Sequence, residues 1–244
     1  MLIQWHTYAN IRQYSQAESF ADLIIEIVPD RPIGYYLKGY LPLWRDGDFN
    51  SARSALESAP IEMSPQWLDW ATTLYRRDYD AVVNFLDAWD IEVDDRQNHY
   101  SPKNSYYGLA YQLSGKPDLA AQHLRRARTT IEQELENKPD DPRLLIALGS
   151  VLGRQGQRDA AVDSIRRAFD LLSTSKDGTR WPALQMTAIF AFVAARDYGT
   201  AIDELDSYLA APAVWSIEGL LPDQRLDPIR NDPRFKGLVA KYSR

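Results

Sequence analysis

Two stretches of this chain repeat one spacing of small and apolar residues. Counted from Gly108, matching residues follow at offsets of 3, 7, 12, 16 and 19, and the same offsets recur from Gly149. The matched positions are Gly108, Tyr111, Gly115, Ala120, Leu124 and Ala127, and then Gly149, Leu152, Gly156, Ala161, Ile165 and Ala168. Six shared positions indicate a structural repeat in which two helices flank a glycine-containing turn.

Small residues at these positions allow two helices to approach closely. Helix axes pack about 8–10 Å apart, and the side chains at the contact set that distance. We therefore expect Gly108 and Ala120 to lie where the helices of one pair touch. A larger residue at Ala120 or Ala161 would overpack the contact, at a cost of roughly 1–3 kcal/mol.

Weaker copies of the pattern occur on both sides of these stretches. The alanines predicted for the second helices are Ala17, Ala52, Ala81, Ala120, Ala161 and Ala201. The pattern resembles the tetratricopeptide repeat, a helix–turn–helix unit of about 34 residues. The resemblance implies an all-α fold, an α-solenoid of about six units. We predict the unit bounds 1–31, 32–63, 64–98, 101–139, 140–175 and 180–212, followed by capping helices over 213–244.

Composition excludes several classes of protein. The net charge of −6 disfavours a broad surface for nucleic acid or anionic membranes, because both need clustered positive charge. The chain has no cysteine, which excludes disulfides, thiolate zinc sites and cysteine nucleophiles and fits a reducing compartment. No apolar run approaches the roughly 18 residues of a membrane span. We therefore expect a cytoplasmic protein without a signal peptide.

Catalytic and metal-binding patterns are weak throughout the sequence. His6, His99 and His123 fall in different predicted units and lack the spacing of a zinc-binding helix. The acidic run within residues 87–95 has no glycine of the kind a calcium loop requires, so we interpret residues 89–102 as a solvated loop. We predict no catalytic residues, no metal, no cofactor and no enzymatic activity.

The resemblance implies that the first helices of the pairs line a concave groove. There the protein would act as a non-catalytic scaffold that binds a peptide or helix of a partner protein. Helical aromatic stripes are more often buried in a core, and this interpretation of the aromatic residues stays open. The predicted lining residues are Tyr36, Tyr40, Trp44, Trp67, Trp70, Ser105, Leu109, Gln112, Arg143, Ile146, Ser150 and Phe190.

The two ends of the chain suggest an alternative function. The sequence "LDPIRNDPRFKGLVAKY" resembles the C-terminal repeat regions of large bacterial signalling proteins. The chain would then be a regulatory, sensing or oligomerisation arm of a cyclase, kinase or transcriptional regulator whose effector domain it lacks. Trp5 and Tyr8 place the start of the chain inside a first helix. We therefore expect either residues before Met1 or pairing of this open end with another molecule, including a second copy.

Overall fold

The computed structural model describes residues 1–60, 66–172 and 181–243, with the backbone alone for residues 66–69. Its α-helices, α1 to α14 in chain order, are Leu2–Asn10, Tyr14–Ile27, Ile33–Asp46, Phe49–Glu57, Gln66–Tyr75, Tyr79–Ala88, Lys103–Leu113, Pro117–Asn137, Pro142–Arg154, Arg158–Leu171, Trp181–Ala194, Tyr198–Ala210, Ile217–Leu220 and Pro233–Tyr242. Strands β1 and β2 are Val93–Arg96 and His99–Pro102, and a 3₁₀ helix covers Gln224–Ile229.

The chain divides into two units. Unit one comprises Met1–Tyr75, Ser207–Gln224 and Pro233–Arg244, and unit two comprises Arg76–Asp206 and Arg225–Asp232. In unit one α1 packs against α2 and α3 against α4, whereas in unit two α7 packs against α8 and α9 against α10. Helix α9 also packs against α8 and α11, so that neighbouring pairs stack. The predicted all-α fold of tetratricopeptide-like helix pairs is confirmed.

Small residues do lie at the closest approaches of the paired helices. A Cβ atom on Gly108 would lie 2.6 Å from the Leu124 side chain, which leaves no room for a larger residue. At Gly149 it would lie 3.0 Å from the carbonyl oxygen of Ala161. Ala120 and Ala161 are 4% and 0% exposed, as the sequence predicted. The contact that the repeat pattern specifies is therefore present in both pairs.

Each pair is joined by a turn that holds one residue in the left-handed region of φ. Three of these residues are glycines, with φ between 68° and 79°, and three are arginines, with φ of 57° or 58°. This conformation lets amides of the turn bond to the last carbonyls of the first helix, as when Lys116 N donates to Tyr111 O over 2.9 Å. In chain order the six residues are Arg12, Gly47, Arg77, Gly115, Gly156 and Arg196.

Helix α9 begins as its sequence predicts. The Asp141 carboxylate accepts a hydrogen bond from the backbone N–H of Arg143 over 2.9 Å, and Pro142 occupies the first turn. Proline is tolerated there because its missing N–H would have no partner within the helix. The helix before this cap, α8, is long and runs for 21 residues.

In unit one the C-terminal part of the chain packs against the first helices. The Arg12 guanidinium donates hydrogen bonds to the backbone carbonyls of Tyr208, Leu209 and Trp215, over 3.1, 2.8 and 2.9 Å. The Tyr14 hydroxyl donates to the Val214 carbonyl over 2.8 Å. These bonds join residues about 200 positions apart, which local sequence patterns do not reveal.

The same segment covers the end of helix α3. The backbone N–H of Ser216 donates to the Trp44 carbonyl over 3.0 Å, and the Ser216 hydroxyl donates to the Arg45 carbonyl. A Cβ atom on Gly219 would lie 2.2 Å from the Trp44 oxygen, so only glycine fits. Because the last carbonyls of a helix have no partner within it, this segment supplies the missing donors.

The interpretation of residues 89–102 as a solvated loop is wrong. Strands β1 and β2 form an antiparallel hairpin in which Arg96 pairs with His99 across a two-residue turn. Tyr100 and Ser101 are buried, and Tyr100 joins the core of α8 and α9. A half-buried strand usually turns apolar side chains inward. Here the buried residue of β1 is the charged Asp94, so the acidic run did not suggest a strand.

Candidate functional site

Three of the predicted lining residues lie on helix α3 in unit one. Tyr40 and Trp44 are one helical turn apart, and their rings stack with centroids 4.9 Å apart. The Trp44 ring also contacts the Trp5 ring, at 5.7 Å. Tyr36, Tyr40 and Trp44 are half-buried and pack on the buried clusters of unit one. These aromatic side chains therefore combine core packing with a partly exposed edge.

Helix α5 carries two more of the predicted aromatic residues, Trp67 and Trp70. Trp70 is half-buried, and its carbonyl accepts a hydrogen bond from the Thr73 hydroxyl over 2.9 Å. The backbone of Trp67 is helical, but its side chain lies outside the described residues. Whether these residues line a groove stays a prediction.

The lining residues predicted on α7 and α9 in unit two differ in accessibility. Leu109 is 6% exposed and Ile146 is fully buried, so neither offers much surface to a partner. Ser105 and Ser150 are half-buried. Gln112 is exposed, and its amide oxygen accepts a 3.0 Å bond from a guanidinium of α9. The surface available here is polar, in contrast to the aromatic residues of α3.

Arg143 is predicted to line the groove, and its guanidinium is bonded within unit two. It donates to the Asp141 carboxylate over 2.7 Å and to the Asp95 carboxylate over 2.5 Å. A further bond, of 2.7 Å, goes to the Arg96 carbonyl. The bond to Asp141 holds the pKa of Arg143 above its usual value. Arg143 thus ties the hairpin to the start of α9, and its charge is balanced by two carboxylates.

A polar cluster beneath the hairpin was not foreseen from the sequence. The Asp94 side chain is 9% exposed and accepts two hydrogen bonds from Arg96, over 2.7 and 2.6 Å. The Tyr106 hydroxyl donates to Asp94 over 2.8 Å. Burial and the Asp94 charge raise the pKa of Tyr106. The turn residues, Gln97 and Asn98, lack the glycine that usually marks a two-residue hairpin, so the sequence carried no clear signal for it.

His99 completes this cluster and is neutral. Burial lowers its pKa to about 4, against the opposing charge of Asp94 and with the aid of Arg96 and Arg225. Its Nε2 lies 2.9 Å from the Tyr106 oxygen. Because the single Tyr106 hydroxyl proton goes to Asp94, His99 Nε2 is the donor in this bond. Asp94, Tyr106 and His99 are therefore joined by hydrogen bonds. A buried polar cluster stabilises a structure only when its groups are paired in this way.

Phe190, the last predicted lining residue, is in contact with the C-terminal part of the chain. The Arg225 guanidinium carbon lies 3.6 Å from the centre of the Phe190 ring. Asp227, two residues further on, pairs with Arg77 over 2.6 Å. Within unit two, part of the 3₁₀ helix therefore lies against helix α11 and the turn before α6. Sequence reasoning missed this contact, because nothing in the local pattern links residue 225 to residue 190.

Unit two also contains a cavity of about 380 Å³ that sequence reasoning missed. Its apolar walls come from α8 and α9, and its polar rim comes from α10. Arg167 on this rim donates to the Pro139 carbonyl and to Asp140, over 3.0 and 2.8 Å. The lining residues are Leu135, Pro139, Leu145, Leu148, Asp163, Ser164 and Arg167.

None of the helices among residues 1–60, 66–172 and 181–243 is both long and apolar enough to cross a membrane. The same residues contain no cluster of His, Asp and Glu side chains arranged to hold a metal ion.

Comparison with known proteins agrees with the repeat geometry. The model of the tetratricopeptide repeat family matches residues 102–174, the segment that contains α7 to α10. No match was found among curated proteins or among solved structures. Tetratricopeptide repeats generally mediate contacts between proteins and are typically non-catalytic. The two helix pairs between residues 102 and 174 are therefore tetratricopeptide repeats.

Proposed function

We propose that this protein is a non-catalytic scaffold that binds a peptide or helix of a partner protein. The binding surface is the first-helix face of unit two, defined here by Ser105, Gln112, Ser150 and Phe190. The observation that carries the proposal is the contact of Arg225 with Phe190, in which this face already holds a short segment of polypeptide. A surface that packs an arginine on an aromatic ring has the chemistry to bind peptides.

The aromatic residues of α3 support a binding role for unit one as well. Large aromatic side chains that are partly exposed and held by a core beneath them are typical anchors of protein interfaces. Tyr40 and Trp44 meet this description, because their rings stack on each other and rest on the buried cluster. The acidic net charge favours protein over nucleic acid as the partner. The absence of cysteine favours the cytoplasm as the place of action.

Pairing of two copies through the start of the chain stays part of the proposal. Trp5 and Ala9 are buried, whereas Leu2 and Ile3 of the same helix are 47% and 80% exposed. Exposed apolar residues grouped in this way are common at protein interfaces. Mass measurement of the purified chain in solution, with Ile3→Asp as the comparison, distinguishes a dimer through this end from a monomer.

Affinity capture from native lysate with a Ser150→Arg variant tests the binding face. Ser150 is half-buried on α9, so an arginine there projects across the face and obstructs a bound peptide. We expect the captured proteins to be lost from Ser150→Arg and retained by Thr129→Arg, which adds the same side chain at an exposed position of α8. Gln112→Ala provides a milder change on the same face. A captured set that is identical for all three variants would refute binding on this face.

A further inference from the structure

Residues 225–232 have the features of a bound ligand in unit two. Arg225 lies over the Phe190 ring at 3.6 Å, a distance at which the guanidinium charge is attracted to the π face. Asp227 accepts a 2.6 Å bond from Arg77, on a different element. The two charged groups are therefore recognised separately, one by a ring and one by a guanidinium.

The interior of the segment is shaped to hold these two groups in place. Leu226, between the two charged residues, and Ile229, after them, are both fully buried and anchor the segment. Arg230 donates to the second Asp227 oxygen over 2.6 Å, which closes the turn on itself. Pro228 lies inside the 3₁₀ helix and restricts its backbone. A short turn with buried apolar anchors and paired charges is a compact recognition element.

We propose that residues 225–232 are an internal ligand of unit two, held by Phe190 on the first-helix face and by Arg77 in the turn before α6, and that the partner of this site carries the same chemistry. The partner is a peptide with an arginine that stacks on Phe190 and, two residues later, an aspartate that pairs with Arg77. It binds by displacing the internal segment. This inference rests on the proposed function, because it specifies the partner of the same face.

The internal segment has a large advantage over a partner in solution. A tethered ligand acts at an effective concentration in the millimolar range. The apparent affinity for an outside peptide falls by the fraction of molecules in which the face is open. Weakening the internal contact must therefore strengthen binding of an outside peptide that keeps the arginine.

A fluorescent synthetic peptide of residues 222–233, titrated into the full chain, tests this competition. We expect Arg225→Ala to bind the peptide at least tenfold more tightly than the wild type, because its own segment is held less firmly. Adding Phe190→Leu removes the ring and should abolish the gain. Lys236→Ala, an exposed change on α14, should behave as the wild type. A peptide with alanine in place of its arginine should show no gain with any variant.

Hydrogen exchange of the amides of residues 225–232 makes each outcome decisive. If exchange rises in Arg225→Ala but the peptide binds no better than to the wild type, the competition does not occur. If exchange does not rise, Arg225 does not hold the segment, and the proposal is equally overturned. Should Arg225→Ala fail to fold by circular dichroism, Arg225→Lys replaces it, with an expected gain of a few fold because lysine cannot stack as a plane. If the peptide competes as expected but Ser150→Arg captures the same proteins as the wild type, the scaffold function is rejected while the internal-ligand proposal stands.

Discussion

The turns that join the helix pairs fall into two groups, according to whether the C-terminal part of the chain reaches them. In unit one the turn at Arg12 bonds to three backbone carbonyls, and the turn at Gly47 contacts Pro222. In unit two the turn at Arg77 pairs with Asp227. These three turns do more than reverse the chain, because each also receives a distant segment.

In the other three turns, the left-handed residue itself makes no hydrogen bond or ion pair with the C-terminal part of the described chain. A Cβ atom on Gly115 or Gly156 would meet nothing within 4 Å. Arg196 is exposed, and its side chain makes no hydrogen bond to the described residues. All six turns share the left-handed conformation, which costs a residue other than glycine roughly 1–2 kcal/mol. The repeat therefore determines the backbone conformation of each turn, whereas the neighbouring segment determines which contacts the turn residue makes.

The largest expected loss of stability comes from adding a side chain at Gly219, where the backbone packs directly against the end of helix α3. A Cβ atom there would lie 2.2 Å from the Trp44 oxygen, and backbone cannot rotate aside. Gly219→Ala should destabilise the protein by about 3 kcal/mol or more. Gly237→Ala is the matched control, because a Cβ atom on Gly237 meets nothing within 4 Å. Thermal unfolding by circular dichroism should show a loss for the first variant and none for the second.

Substituting alanine for the turn glycines Gly47 and Gly115 distinguishes two contributions to stability, the strain of the left-handed backbone and the contact with the C-terminal segment. Gly47→Ala and Gly115→Ala share the strain of the left-handed conformation, about 1 kcal/mol. Gly47→Ala adds a collision, since its Cβ atom would lie 2.6 Å from the Pro222 ring. We expect a total loss of about 3 kcal/mol for Gly47→Ala and about 1 kcal/mol for Gly115→Ala. Equal losses in urea unfolding would mean that the Pro222 contact does not constrain the turn.

Glycine at two arginine turns should produce effects of opposite sign. Arg196→Gly relieves strain and should stabilise the protein by about 1 kcal/mol. Arg12→Gly gains the same relief but loses three bonds from a charged group, so a net loss of about 2 kcal/mol is expected. Urea unfolding followed by tryptophan fluorescence measures both. Stabilisation by Arg12→Gly would contradict the assigned role of its side chain.

The turn at Arg77 should show the smallest effect, and one that depends on pH. The Arg77 side chain is 56% exposed, so its pair with Asp227 contributes less than about 1 kcal/mol at neutral pH. Burial raises the pKa of Asp227, but the bonds from Arg230 and Arg77 outweigh it and hold that pKa below 3.8. A carboxyl group whose pKa is lowered by folding stabilises the protein at pH values above its usual pKa. This stabilisation is lost as the pH falls and the carboxylate is protonated.

Arg77→Gly should therefore gain stability relative to the wild type as the pH falls below 3.8, because the wild type loses its ion pair whereas the relief of strain in the variant does not depend on pH. The effect of Arg12→Gly should not change over the same range, because backbone carbonyls do not titrate. Melting temperatures at pH 7 and pH 3 provide the test. A constant difference for Arg77→Gly would show that the ion pair makes no contribution.

The sequence predicted the parts of the fold that depend on contacts between neighbouring helices. Gly108 and Ala120 are separated by only twelve positions, so a repeated spacing was enough to locate their contact. Asp141 and Pro142 marked the start of α9 for the same local reason. The model of the tetratricopeptide repeat family matches residues 102–174, the segment in which the same spacing occurs twice.

The candidate site depends on contacts that are distant in sequence, which residue spacing does not indicate. Arg143 was predicted to line the groove because it lies on a first helix, but its guanidinium forms ion pairs with Asp95 and Asp141. Ile146 was assigned in the same way and is fully buried. Arg225, which contacts Phe190, lies 35 positions away and follows no periodic pattern, so residue spacing could not indicate this contact.

The bonds between Arg12 and residues near Trp215 have a consequence for biosynthesis. The longest spans 203 positions, so the first helix pair lacks these partners until the residues between them have been translated. At about 5–20 residues per second, the ribosome needs roughly 10–40 s to supply them. During that interval the nascent amino-terminal helices expose surface that the finished molecule covers, and a chaperone that acts early in synthesis would find its substrate there.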